Sequence, residues 1–428
     1  MRFRFFYLFI AFCLIALVNI TGTTSDVIRL QNAINSSDTL IINGVYRLNQ
    51  TIRISKPILI KGGARLIFNK NIKVGVSIES SDVTLSGLTL KSKSKQSKVL
   101  QAKGTGKRPL CNLRIEGCTF RGGMNAIDLD YIDDSFITNN HIRSIGYAGI
   151  ALHSCHNVDV TFNHIIDINL DHANRNSYGI AATFHYGHPK STNIRINNNI
   201  VENNPYWEAL DTHGGENIMF INNTVRNCWR GIAAVGDNHR DVQLCQNITI
   251  KDNDIVCSDE SLSNGIVFTG VSDQYLSQVF IIYGNTVRNS VIGIYSNYTV
   301  GAQVFHNDIE ATDEGWRDTG STEFLFNGNH IKLNNKAKTY YDKCGVYLNP
   351  TNGVMYKKVG EISNNIVVTG EAPGIFSTRN YNRLGSKLLL IENTIYTDGV
   401  KYKGGSMTGL TENTDYYTFI KEKGKEKR

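Results

Sequence analysis

Proline is scarce in this chain, 6 residues in 428, and the cysteines show none of the patterns that bind metals. Seven of the 8 lie beyond the N-terminal run, at Cys111, Cys118, Cys155, Cys228, Cys245, Cys257 and Cys344. They contain no CxxC pair, and their scatter matches no zinc signature. An odd number leaves at least one thiol over in any disulfide scheme, so burial as small apolar side chains is the expected role. Long apolar runs are missing after the first one, which argues against a membrane-embedded body. Strong charge is missing too. A net +7, part of it in the terminal Lys421–Arg428, is too weak for a nucleic-acid footprint but compatible with an acidic polymer as partner. No nucleotide, flavin, redox-metal or EF-hand motif is present.

The apolar run at the N-terminus, Phe5 to Val18, follows Arg2 and Arg4 and ends in the small polar stretch Thr21–Ser25. That is the pattern of a secretory signal over residues 1–24, so a secreted or periplasmic protein is expected, with no membrane association after its removal. Glycine is abundant at 38 residues and asparagine is conspicuous. Together with the scarcity of proline, that favours many tight turns between short strands. A short amphipathic helix is predicted over Asp26–Asn35, as part of an N-terminal cap with the first strands over 25–75.

From about residue 76 to 412 a unit recurs at intervals of roughly 20 to 35 residues. Its first half is an alternating strand ending in Asn-x-Ile or Asn-x-Val, as in Phe136–Ile142, Ile194–Ile200 and Ile248–Ile255. Its second half reads Gly-Ile-x-x, at Gly149, Gly179, Gly231, Gly265 and Gly293. No unit can bury its apolar face alone, so the coils must stack. Asparagine tolerates left-handed backbone angles at the bends and can form amide ladders between rungs. The Leu-x-x-Leu-x-Leu pattern of the competing horseshoe solenoid is absent. The repeat resembles that of right-handed parallel β-helix carbohydrate-active proteins, the pectate-lyase-like enzymes, phage tailspike depolymerases and alginate C5-epimerases. The resemblance implies an all-β, single-domain β-helix, a polysaccharide partner, and a monomer or homotrimer. A basic tail is expected over 413–428.

Stacked coils turn equal registers into columns about 4.8 Å apart. With Ile127, Ile150, Ile180, Leu210 and Ile232 facing inward, the period of two puts two files outward. One file is Asp128, Ala151, Ala181, Asp211 and Ala233; the other is Asp130, His153, Thr183, His213 and Val235. Small residues around Asp211, beside a file carrying Asp130, His153 and His213, describe a groove floor. Most of the 11 histidines fall between His141 and His239. Asp211, His213, His153 and Glu208 are therefore the catalytic candidates. Trp207 and Tyr206 are candidates for stacking on a sugar ring. His185, His188, Asp237 and His239 are expected at the groove as substrate contacts, and Arg230 and Lys190 suit a carboxylated or sulfated polymer. Calcium, if used, would fit the oxygen cluster of Asp128, Asp130, Asp133 and Asp134.

The segment Tyr206–Gly215 is similar to the catalytic coil of mannuronan C5-epimerases, which carries Asp-Pro-His, an acidic residue next, and a tyrosine three places before the Asp. Asp211 and His213 match. Thr212 replaces the proline, Gly214 the acidic residue and Glu208 the tyrosine, leaving Tyr178 and Tyr206 as nearby phenols. Three functions fit these residues. A lyase-type or epimerising enzyme would use His213 or His153 as base on an acidic glycan. A glycoside hydrolase would use a carboxylate pair from Glu208, Asp211 and Asp237. A non-catalytic surface protein would bind glycan without turnover. Histidines outnumber well-placed carboxylates in this reading, which favours the first.

Overall fold

Alternating apolar residues give each segment one buried face, and the asparagines and glycines at its ends supply the bends. The computed structural model describes residues 27–173, 176–258, 262–334, 343–350, 360–378 and 388–397, with the backbone of short strands at 18–22, 402–404, 412–413 and 416–417. The rest of the expected leader lies outside the described residues, as does the expected tail over 413–428 apart from Asn413 and Tyr416–Tyr417, which belong to short strands. The last part of that leader, Val18–Gly22, forms a strand paired with Leu40–Gly44. No helix among the described residues is long and apolar enough to cross a membrane.

The ladders between successive coils are parallel along the whole stack, which makes the chain a parallel β-helix. Helix α1 (Val27–Ser36) buries Val27, Leu30, Ala33 and Ile34 against the first strands. Parallel pairing already joins the strands between 39 and 78, ahead of the point where the repeat becomes legible. The face of interest is carried by β1 (Asn125–Asp130), β2 (Ala148–His153), β3 (Tyr178–Thr183), β4 (Ile200–His213), β5 (Thr224–Val235), β6 (Asn264–Thr269), β7 (Thr286–Asn297), β8 (Asp308–Thr319), β9 (Cys344–Asn349) and β10 (Ile375–Ser377). Register joins Ile127 to Ile150, Ile180, Leu210 and Ile232 in one fully buried inward file, as the period of two requires.

The paired asparagines divide two tasks. In Asn139-Asn140, Asn198-Asn199, Asn222-Asn223 and Asn364-Asn365, the first residue takes a positive φ of 54° to 57° and turns the chain. The second points inward and is buried. From Asn140 through Asn163, Asn199, Asn223, Asn253, Asn285, Asn307, Asn329 and Asn365 to Asn393, each Nδ2 donates to the next Oδ1 at 2.8–3.1 Å. Each Oδ1 also accepts a backbone N–H from the coil before, so these interior amides are satisfied on both sides. The glycine of the Gly-Ile half answers a different demand. A Cβ at Gly179 would lie 2.4 Å from the Ala209 carbonyl oxygen, so adjacent coils touch backbone to backbone there.

The cysteines follow the expectation of burial. Cys118, Cys155, Cys228, Cys245, Cys257 and Cys344 are buried free thiols, and Cys111 is half-buried.

Candidate active site

The outward files come together as the columns require. Register places Asp211 between Ala181 and Ala233, and the alanines leave a depression around its carboxyl. Tyr147 and Tyr178, edge to face at 5.5 Å, wall one side and pack with Ala148, Ala151, Ala181 and Trp207. The resulting cleft holds about 320 Å³ and is lined by Asp211, His213, Asp237, His239, His153 and His185, among others. The opposite wall is a loop. After β5, Asp237 and Gln243 bond to each other through both backbone N–H groups, folding residues 236–243 back over the end of β4. Gly214 makes room for this: its φ is +62°, and a Cβ would meet the Gln243 Cβ at 2.6 Å. An acidic side chain does not fit there.

His213 is the hub. Its Nε2 lies 3.4 Å from Asp211 Oδ1 and 3.9 Å from Glu208 Oε2, and its Nδ1 lies 3.6 Å from Asp237 Oδ2. Arg230 Nη1 donates to Glu208 Oε1 at 3.0 Å. The Arg230 guanidinium is itself packed on the rings of Trp207 and Trp229, 4.6 and 4.9 Å from their centroids. Glu208 and Asp211 are each 1% exposed, while the His213 side chain is 25% exposed toward the cleft. Neither oxygen of Asp211 has a hydrogen-bond partner, nor has Glu208 Oε2.

These environments push the titrating groups apart. Burial holds Asp211 well above the usual carboxylate range; the charge of His213 opposes the shift and Glu208 reinforces it. Burial alone would raise Glu208 as well, but His213 and Arg230 more than offset it and hold Glu208 low. Hydrogen bonding from His213 holds Asp237 far below its ordinary value. For His213, burial favours the neutral ring, and the surrounding Asp211, Asp237 and Glu208 reverse that and raise it well above the usual histidine range. The directions separate the groups: Asp211 is displaced toward its protonated form, Glu208 and Asp237 toward their ionised forms, and His213 toward its charged ring. Burial pushes the Tyr147 and Tyr178 phenols up, Asp211 and Glu208 adding to the effect.

The other expected residues fall into two groups. His153 is in the cleft, stacked on His185 at 4.2 Å, and burial lowers it to about 4, so it is a neutral ring. His185 Nε2 also sits 3.7 Å from Asp130, and His188 bonds to the Tyr131 hydroxyl. His239 folds onto Asp237 at 3.1 Å. Trp207 and Tyr206 are not bare sugar platforms. Trp207 is packed against Trp229 and Arg230, and Tyr206 stacks face to face on His172 at 3.9 Å. Lys190 pairs with Glu216 at 3.0 Å and Arg230 with Glu208, so the two cations expected to meet an acidic polymer are both committed within the protein.

The calcium cluster does not form. A turn at Tyr131, φ 54°, puts Asp128 and Asp130 on β1 and Asp133 and Asp134 in the neighbouring sheet. Asp128 pairs with Lys98, Asp130 with Lys103, and Asp134 accepts from Asn157. Among the described residues, the group whose donor atoms converge closely enough to hold a metal is Glu208, Asp211 and His213, within 4.8 Å of one another. Arg230 already pairs with Glu208, and the acidic neighbours favour the charged form of His213, so these side chains are partnered by one another. Treatment with EDTA is expected to leave melting temperature and any activity unchanged; a loss that one divalent metal restores would contradict this charge assignment.

Tyr147 and the role of Arg230 as partner to Glu208 are not apparent from the outward files alone. Glu208 and Arg230 share a column with Ala148 and Tyr178, three residues before the Asp211 file, and Tyr147 directly precedes that column.

The chain matches the family model described as "Right handed beta helix region" over residues 58–255. Among curated proteins none matches the sequence. Among solved structures it is similar to the catalytic unit of a thermostable α-1,3-glucanase from Streptomyces thermodiastaticus, at 11% identity and a TM-score of 0.58 over 93% of this chain and 70% of that one. It is similar to the Agl-KA catalytic domain at 14% identity and a TM-score of 0.53, over 89% and 66%. The A-module of a mannuronan C-5 epimerase from Azotobacter vinelandii gives 15% identity and a TM-score of 0.50, over 93% and 96%. At such identities the likeness is one of fold, the right-handed parallel β-helix.

Proposed function

We propose that the chain is a polysaccharide hydrolase, with Asp211 as general acid and Asp237 as the carboxylate that activates water. The observation that carries this reading is the split of two carboxyls across His213: one buried and displaced toward its protonated form, the other toward its ionised form, both lining the cleft. Asp211 gives its proton to the glycosidic oxygen as that bond breaks. Asp237 takes a proton from the water that attacks the anomeric carbon. Asp211 lies 3.4 Å from His213 Nε2 and Asp237 3.6 Å from its Nδ1, and carboxyls on either side of a ring suit the wider spacing of an inverting pair. Glu208 favours the protonated form of Asp211 and is held in place by Arg230.

A neutral glycan suits this cleft better than an acidic one, because Arg230 and Lys190 are committed to Glu208 and Glu216. The fold likeness to an α-1,3-glucanase supports a polysaccharide substrate but not a particular linkage. Proton abstraction remains the second reading, favoured by one observation: the Tyr178 ring stands edge-on to His213 at 6.4 Å, in the register of Glu208 where the epimerase coil carries its tyrosine. His213 is disfavoured as the base in that scheme, because its acidic neighbours favour the charged ring.

Digestion of a panel of neutral and acidic polysaccharides tests these readings, followed both by reducing ends and by the ultraviolet absorbance of unsaturated uronides. New reducing ends without unsaturated product are expected. The alkaline limb of kcat/KM should lie above the ordinary carboxylate range, where Asp211 loses its proton, and the acid limb below it, where Asp237 gains one. Unsaturated product would replace hydrolysis by elimination, and binding without any product would make the protein a glycan-binding module.

A further inference from the structure

The file that carries Asp211 does not end at the cleft. Register continues it through Ala233 and Val267 to Tyr295 on β7, Arg317 on β8, Tyr347 on β9 and Phe376 on β10. Here the small residues of the floor give way to rings. Tyr295, Arg317, Tyr347 and Phe376 are each half-buried. The Arg317 guanidinium covers the Tyr347 ring at 4.4 Å, and the Tyr347 and Phe376 rings lie 5.4 Å apart. Arg317 is neutralised by a two-pronged ion pair with Glu314, so the face carries aromatic surface rather than net charge.

The file that carries His213 continues in step, through Val235 and Thr269 to Asn297, Thr319 and Asn349. All three are half-buried, and the Asn297 Oδ1 has no hydrogen-bond partner. Two parallel rows result, one of rings, with the Arg317 guanidinium laid over Tyr347, and one of amides and hydroxyls. That pairing suits a neutral sugar chain: aromatic rings and a guanidinium plane to pack on, and donors and acceptors beside them for its hydroxyls. Rows of leucine or valine would bury equally well but offer no such match.

We propose that Tyr295, Tyr347 and Phe376, with Asn297, Thr319 and Asn349, form a second glycan-binding station on the same face as the cleft. Its occupant is a neutral polysaccharide strand lying along the solenoid axis. The station lies three to six rungs from Asp211, roughly 14 to 29 Å at the ordinary strand spacing. Ala233 and Val267 between them are buried, so the strand bridges that gap rather than resting on it. The occupant is continuous with the cleft, so its class rests on the hydrolase reading, but the station requires no turnover.

The experiment separates the two. Full-length Asp211→Asn protein, with and without Tyr347→Ala and Phe376→Ala, is pulled down on insoluble α-1,3-glucan and titrated with dextran, pullulan and laminarin. The double substitution is expected to weaken binding to at least one of these polymers by about ten-fold or more, or about 1.4 kcal/mol. Affinity for a trisaccharide of the same linkage, which reaches only the cleft, should not change. Tyr347→Phe keeps the ring and is expected to bind as the parent does, which distinguishes lost stacking from a damaged fold. Unchanged polymer affinity in the double variant overturns the station, as does an equal loss for trisaccharide and polymer. If the station binds while the Asp211-bearing protein hydrolyses nothing, the hydrolase reading falls and the station stands.

Discussion

Replacing Asp211 by Asn is expected to lower turnover by about 10²–10⁴-fold and to make the protein more stable. Asp211 is buried beside Glu208 with neither oxygen hydrogen-bonded, and its carboxyl is held above its unfolded value. A raised folded-state pKa means that the folded chain binds more protons than the unfolded one between the two values, so stability falls as pH rises through that window. Asn cannot ionise and brings an N–H that can donate to the unpartnered Glu208 Oε2. The gain is expected at about 1–3 kcal/mol above the folded-state value, and near zero in acid, where both versions are neutral. Melting curves across pH decide it, and a lower melting temperature for Asp211→Asn at every pH would sink the argument. Glu208→Gln should show the opposite sign. Its folded pKa is depressed, so its contribution is present above the ordinary carboxylate range and is lost as pH falls through the folded value. Removing that charge leaves Arg230 between two tryptophans without its anion, and a destabilisation that fades toward acid is expected.

A larger structural effect is expected from Asn223→Ala, a residue that does not line the cleft. The Asn223 Oδ1 accepts both the backbone N–H and the Nδ2 of Asn199, and its own Nδ2 donates to the Ile196 carbonyl and to Asn253 Oδ1. Alanine strands several of these buried groups at once, and at 1–3 kcal/mol for each unsatisfied group the loss is expected at about 3–5 kcal/mol. One residue earlier, Asn222 turns the chain at a φ of 54°. Asn222→Gly keeps that angle without strain, so its effect should be far smaller. Chemical denaturation of the two variants side by side checks the division of labour. Equal losses would mean that the inward amide column is not what the second asparagine is for.

The fold was legible because its two demands each leave a residue behind. The left-handed bend and the amide ladder write Asn-Asn into the sequence, and the backbone contact between coils writes Gly before the buried Ile. The first strands, between 39 and 78, stack the same way without the ladder asparagine, and their pattern is correspondingly faint. Asp211 and His213 were legible through the period of two, because alternation and register together fix which side chains share a face. What remained hidden depends on contacts between distant segments. Asp237 reaches His213 only because the loop after β5 folds back against Gly214. Counting histidines favoured a histidine base, but the count does not show that His153 stacks on His185, that His188 bonds Tyr131, or that three carboxyls surround His213. The four aspartates from Asp128 to Asp134 looked like one cluster because nothing in their spacing announces the turn at Tyr131.

The stacking of equal rungs also limits how such a molecule can change in length. Asp211 and Asp237 belong to successive coils, and Tyr178 to the coil before them. A duplication that added a whole coil beyond β10, or ahead of β1, would leave every distance in the cleft as it is. The same duplication between β4 and β5 would carry Asp237 a further rung, about 4.8 Å, from Asp211. A single-residue insertion within β4 would be worse, turning Asp211 into the core and Leu210 or Thr212 outward. Growth at the ends is therefore neutral to the chemistry, and the stretch from Tyr147 to Gln243 is the part of the chain whose length is not free to vary.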